Sequence, residues 1–160
     1  MSHQDKLTLA PISTISGNVI LPGSKSLSNR ILLLSMLAEG QTEIQNLLDS
    51  DDIRLMVEAL RMLGIELEEN RAENSITVSG KAGKIPVAEA RLMLGNAGTA
   101  IRPLTAAMTL GHGRYVLDGA PRMRERPIID LVNSLSQLGA NLRCLNDTDC
   151  PPVEVIADGL

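Results

Sequence analysis

Apolar positions along this chain fall into two kinds of pattern that alternate in a fixed order. Ile53, Met56, Val57, Leu60 and Leu63 follow the i, i+3, i+4, i+7 spacing of a helix with one buried face, as do Ile128, Leu131, Val132, Leu135 and Leu138. Each run ends at a glycine suited to a helix C-terminus, Gly64 and Gly139. Asp51 and Asp52 favour the N-terminus of the first helix through its dipole, while Pro127 suits the first turn of the second. Two denser apolar runs, residues 30–37 and 102–109, read as helices that open at Arg30 and Arg102. Glycine stops follow them (Gly40; Gly111 and Gly113), and then short β-type runs at 42–47 and 114–118. Alternating strand patterns close each half, 65–68 with 75–78 and 141–145 with 153–156.

Laid on itself with a shift of about 72 to 79 residues, the chain matches these features in the same order. The repeated unit is strand, helix, strand, helix, strand, strand. The pattern predicts an α+β fold of two βαβαββ units, over 21–90 and 91–160, after an opening stretch 1–20. Met36, Met56, Met62, Met93, Met108 and Met123 read as core filler.

Where the first helix of each unit begins, the chain is polar and rich in small residues. One stretch runs Pro22-Gly23-Ser24-Lys25-Ser26-Leu27-Ser28-Asn29-Arg30, the other Gly95-Asn96-Ala97-Gly98-Thr99-Ala100-Ile101-Arg102-Pro103. A helix that starts in such a loop leaves its first N–H groups free and carries partial positive charge, so an anion can dock there. Lys25, Arg30, Arg102 and the run Arg122-Met123-Arg124-Glu125-Arg126 supply more cations than one phosphate needs, which points to a ligand with at least two anionic groups. The first stretch is not a nucleotide P-loop, because Ser24 separates Gly23 from Lys25. On that stretch alone, a plain turn and helix cap with a solvated Lys25 stays open; the recurrence favours paired anion cradles.

Composition narrows the class. At 160 residues, 44% hydrophobic and 21% charged, the chain can bury a core. A net charge of −4 and one aromatic residue, Tyr115, argue against nucleic acid as a partner, since phosphate backbones want excess positive charge and bases want stacking platforms. No apolar run approaches the ~20 residues needed to cross a bilayer, so a membrane is not expected either. Residues 1–6 lack the layout of a signal peptide, which leads us to expect a reducing cytoplasm with Cys144 and Cys150 as free thiols. Those cysteines and the scattered His3 and His112 do not make a metal site.

Four stretches, residues 22–30, 46–52, 94–104 and 122–128, together resemble the 5-enolpyruvylshikimate-3-phosphate synthase (3-phosphoshikimate 1-carboxyvinyltransferase) family of enolpyruvyl transferases. The related family that acts on UDP-N-acetylglucosamine matches less well, since it opens with Lys-Asn where this chain has Lys25-Ser26. The resemblance implies the inverse α/β prism lobe of that fold. The opening residues 1–20 would then form strands packed on the other lobe, and a third unit and the second lobe would lie beyond Leu160. It also implies roles. Lys25 would contact both substrates and assist proton transfer; Ser26 and Arg30 would hold shikimate 3-phosphate; Asn96, Gly98 and Arg126 would line the phosphoenolpyruvate site. Thr99 and Pro103 would fix the helix start at Gly98, Arg102, Arg122 and Arg124 would serve structural or electrostatic ends, and Asp51 or Asp52 would tether the opposing lobe. Glyphosate would compete for the phosphoenolpyruvate site, with no cofactor and no metal required. The alternative is a catalytically inactive half-lobe that binds only an anion or a complementary C-terminal fragment.

Overall fold

The computed structural model describes residues 7–159. In chain order these form α1 (Lys25–Leu37), β1 (Glu39–Gln45), α2 (Asp51–Met62), β2 (Glu66–Asn70), β3 (Ser75–Lys81), β4 (Glu89–Met93), α3 (Gly98–Met108) and β5 (His112–Asp118). A short 3-10 turn (Met123–Glu125) leads to α4 (Ile129–Gln137), β6 (Asn141–Cys144) and β7 (Val153–Asp158). Two sheets result, an antiparallel one ordered β1-β3-β2 and a second ordered β4-β5-β7-β6, in which β4 runs parallel to β5.

The sheets carry the repeat. β5, β7 and β6 stand to one another as β1, β3 and β2 do. Register is set by apolar partners on one face, Ile44 with Ile76, Leu67 with Val78, Leu92 with Leu117 and Tyr115 with Val155. α1 packs against both α2 and α3, and Leu32, Met36, Met56, Leu60, Ile101, Leu104 and Met108 from these helices join both sheets in one continuous core. Among the described residues, no helix is long and apolar enough to cross a membrane.

The structure departs from expectation at several points. Residues 7–24 contain no helix or strand, so neither the opening strands expected over 1–20 nor the strand expected at the head of the 21–90 unit is formed there; residues 1–6 lie outside the described part. Among the described residues, no strand therefore stands outside β1 in the place that corresponds to β4. Leu7, Leu9, Ile12, Ile15, Val19, Ile20 and Leu21 are 73 to 95% exposed, because no layer among the described residues covers them and a lone ribbon gains too little to hold a ladder. β4 begins at Glu89, just ahead of the expected unit boundary at 91. Arg30 and Arg102 stand about one turn inside their helices, since α1 starts at Lys25 and α3 at Gly98. Pro127 lies before the Ile128 cap of α4 rather than in its first turn. Met62 and Met93 are about half exposed: Met62 ends α2 and Met93 points away from the face that buries Leu92.

Candidate functional site

At the first cradle, Ser24 caps α1 with its hydroxyl accepting the Leu27 N–H at 3.4 Å. Gly23 is bare because a Cβ there would collide with the Asn46 carbonyl and stand 2.9 Å from the Leu48 nitrogen. The loop is drawn onto residues 46–48, where the Leu48 N–H donates to Ser28 Oγ at 3.3 Å. Turning and capping are thus part of what this stretch does, but Lys25 is not merely solvated: its Nζ lies 3.2 Å from Asp52 Oδ2 at the start of α2. Asp51 pairs with Arg54 at 3.4 Å, so both acidic residues expected to face an opposing lobe are engaged within the chain. Ser26 and Arg30 are exposed at this end of α1, and Arg30 makes no ion pair among the described residues.

The second cradle is built more tightly. β4 ends at Met93, and the Leu94 N–H donates to the Asp118 carbonyl at 2.9 Å, as Ala120 N–H does to Gly95 O at 2.9 Å. The loop 94–97 is thereby laced to the turn 118–120. Ala97 then opens α3, its carbonyl accepting from Ala100 and Ile101. Pro103 within that helix has no N–H, so the Thr99 carbonyl does not receive the usual helical hydrogen bond. Arg126 donates from Nη1 to the Asn96 carbonyl at 3.3 Å, and the same nitrogen lies 3.3 Å from where a Cβ on Gly98 would stand. A cleft of about 150 Å³ opens here, lined by Gly98, Ile101, Met123, Arg126 and Ile128 among others. Arg102, at the rim, holds the Pro127 carbonyl with its Nη2 at 2.6 Å and so ties α3 to the entry of α4. A larger depression of about 440 Å³ beside α2 includes none of these residues, and its three arginines are already paired, Arg54 with Asp49 and both Arg61 and Arg71 with Glu69.

The two cradles touch through one hydrogen bond. Asn29, fully buried on α1, donates from Nδ2 to Thr99 Oγ1 at 2.8 Å, while its Oδ1 has no partner among the described residues. Lys25, Ser26 and Arg30 on α1, Gly98 and Thr99 on α3 and Asn96 in the loop before α3 are thus brought to one end of a packed helix pair, with Arg126 beside them. Asn29 lies inside the first polar stretch but is given no role by its sequence. The signal for one is a polar residue on the face that buries Ser28, Leu32, Ser35 and Met36.

Asp118 is the other residue that sequence reasoning passed over. Fully buried, it accepts from Arg124 Nε at 2.9 Å and Nη2 at 2.7 Å, from Arg91 Nη2 at 3.2 Å and from its neighbour's N–H at 2.8 Å. Burial pushes its carboxyl up, but the Arg124, Gly119 and Arg91 donors together hold it below the usual 3.8. Its mark in the sequence is a lone carboxylate closing the apolar run 115–117 just ahead of an arginine-rich turn. On the outer part of the same sheet, Arg114 and Arg143 hold the buried Glu154 low in a similar way, each donating from Nε, at 2.8 and 2.9 Å.

Helices packed on repeated sheets, with the first helix of each unit opening in a polar loop, define the class as an α+β enolpyruvyl-transferase half-lobe. The structure of EPSP synthase from Acinetobacter baumannii matches with a TM-score of 0.80 at 25% identity, over 89% of this chain and 32% of that one. The EPSP synthase (3-phosphoshikimate 1-carboxyvinyltransferase) family model matches residues 9–160, and the chain belongs to that family. It is 56% identical over 161 residues to the chloroplastic 3-phosphoshikimate 1-carboxyvinyltransferase of Solanum lycopersicum, covering 96% of this chain and 31% of the relative. It is 52% identical over 157 residues to the enzyme of that name from Shewanella amazonensis, covering 98% and 37%. The chain therefore spans about a third of the length of the relatives it matches.

Proposed function

We propose that the chain supplies part of the substrate cleft of an enzyme that transfers the enolpyruvyl group of phosphoenolpyruvate to the 5-hydroxyl of shikimate 3-phosphate and releases phosphate. The observation that carries this reading is the pair of helix starts joined by Asn29 and Thr99, each with its own cations. Two anions held side by side are what the transfer requires. The 5-hydroxyl adds to the enol carbon as a proton is delivered to the methylene, and the tetrahedral adduct then loses phosphate and a proton to regenerate the double bond. Charge on a phosphate and a carboxylate must be stabilised throughout, and each charge-assisted hydrogen bond to a bound anion contributes about 1.5–3 kcal/mol.

In this reading Ser26 and Arg30 hold shikimate 3-phosphate, Asn96, Gly98 and Arg126 hold phosphoenolpyruvate, and Lys25 reaches both. Asp52 keeps Lys25 oriented until the substrates arrive, since its carboxylate holds the ammonium at 3.2 Å. Gly98 fits its role because a methyl group there would press on Arg126 inside the cleft. Thr99 and Pro103 set the helix start, and glyphosate would occupy the phosphoenolpyruvate site. The compartment is part of the proposal: the tomato relative is named chloroplastic, while free Cys144 and Cys150 fit the reducing cytoplasm expected from the sequence.

A second reading concerns the 160 residues by themselves, which span 31 to 37% of the relatives they match. They would bind an anionic ligand or a complementary fragment and turn nothing over. Phosphate release from the two substrates, assayed on the 160-residue chain alone and with the remaining family sequence supplied as a second fragment, separates the two. Turnover only in the mixture supports the proposal, and none in a folded, associated mixture leaves the second reading.

A further inference from the structure

The turn that carries Arg126 is held by an ion pair on a buried carboxylate, with no role in the reading above. Asp118 ends β5 and receives both Nε and Nη2 of Arg124, two residues before Arg126. The carboxylate is wholly buried while Arg124 is about half exposed, so the planar guanidinium closes over Asp118 from the solvent side. The backbone on either side of the pair is already laced to the second cradle through Leu94 with Asp118 and Ala120 with Gly95. Gly119 lies so close that a Cβ would collide with the Gly95 carbonyl and come within 2.6 Å of Met123 Cβ. Arg126 itself reaches the cradle by one long hydrogen bond of 3.3 Å to the Asn96 carbonyl, too weak to set its position unaided.

We infer that Asp118 is a positioning residue: by gripping Arg124 it fixes the turn 122–126 against loop 94–97 and so aims the Arg126 guanidinium at the space over Gly98. This rests on the reading that the cleft beside Gly98 takes phosphoenolpyruvate. A displacement of about 1 Å at such a group is enough to cost up to about a hundredfold in rate, so the grip need only fail slightly to be felt. Asp118 touches neither substrate in this account; it acts through Arg124 and Arg126.

The test is a double-mutant cycle in the full-length or reassembled enzyme, reading KM for each substrate separately together with thermal unfolding. Asp118→Asn keeps the shape and removes the charge. It is expected to raise KM for phosphoenolpyruvate on the order of tenfold while KM for shikimate 3-phosphate stays within about twofold. In an Arg126→Ala background, where the group it aims is gone, Asp118→Asn should raise KM for phosphoenolpyruvate no further. Equal rises in both KM values, an additive rise in the Arg126→Ala background, or a lowered unfolding temperature with unchanged KM would overturn the inference. If Asp118→Asn does not fold, Arg124→Lys takes its place in the cycle, keeping the charge but giving up the two-pronged grip, and is judged by the same outcomes. Should Arg126→Ala alone leave KM for phosphoenolpyruvate unchanged, the placement of the substrate is wrong and the inference falls with it. A rise on Arg126→Ala with none on Asp118→Asn refutes the inference and leaves the placement standing.

Discussion

Gly98 offers the sharpest single-residue argument, because its reason is steric. Its backbone lies outside the left-handed region, so nothing about its conformation demands glycine; what an added methyl meets is Arg126 Nη1 at 3.3 Å. Gly98→Ala is therefore expected to leave thermal stability within about 1 kcal/mol. It should raise KM for phosphoenolpyruvate and weaken inhibition by glyphosate, with shikimate 3-phosphate affinity unchanged; a stability loss large enough to explain the defect would make Gly98 a structural glycine. The buried carboxylates make a second prediction. Asp118 and Glu154 both titrate below their ordinary values of 3.8 and 4.5 in the folded chain. A carboxyl held low in the native state stabilises it wherever the unfolded group is ionised and loses that contribution as pH falls through the native value. Thermal unfolding should accordingly be insensitive to these groups above about pH 5 and fall away below about pH 4. Asp118→Asn should flatten that fall, and an identical acid limb in the variant would show that another group is responsible.

At the scale of elements, the order of helices and strands after residue 24 could be read from periodicity, because one-sided helices such as α2 and α4 and paired strands such as β6 and β7 advertise which face they bury. The strand expected before α1 could not be checked that way. Its place follows from the repeat, but a repeat says only where a strand would stand, not that the described residues provide the layer to bury it. Helix starts slipped for a related reason: an apolar run shows where burial begins, whereas α1 begins earlier, at the hydroxyl of Ser24. Of the site, the two polar helix starts and their cations were legible, while Asn29 and Asp118 left only a polar residue on a buried helix face and a lone carboxylate ahead of an arginine-rich turn, neither of which names its partner, 70 positions away for Asn29 and 6 for Asp118. The contact between α1 and α3 makes its own prediction. Asn29→Leu and Thr99→Val, taken singly and together, should show a coupling of about 0.5–1.5 kcal/mol in chemical unfolding. Strict additivity would mean that the two helix starts are independent and only lie close.

For the molecule as a whole, the exposed apolar side chains describe what is left uncovered. From Ile31 to Leu37 α1 is apolar on nearly every face, yet Leu34 is 62% exposed, as is Leu27 at 55% near the helix start, and the free edge of β1 and the ribbon 7–21 lie open as well. A helix apolar all round is one that is buried all round in its working state. The remaining sequence of the family should therefore bind this chain, covering Leu27 and Leu34 and closing the cleft from the other side. The measurement that tests the central claim most directly is phosphate release from shikimate 3-phosphate and phosphoenolpyruvate by the chain, by the remaining fragment, and by the two together. Neither part alone should turn over, and the co-purified pair should reach a measurable rate, with a KM for phosphoenolpyruvate that rises in Arg126→Ala. Turnover by the 160-residue chain alone, or a co-purified pair that releases no phosphate, would contradict the account.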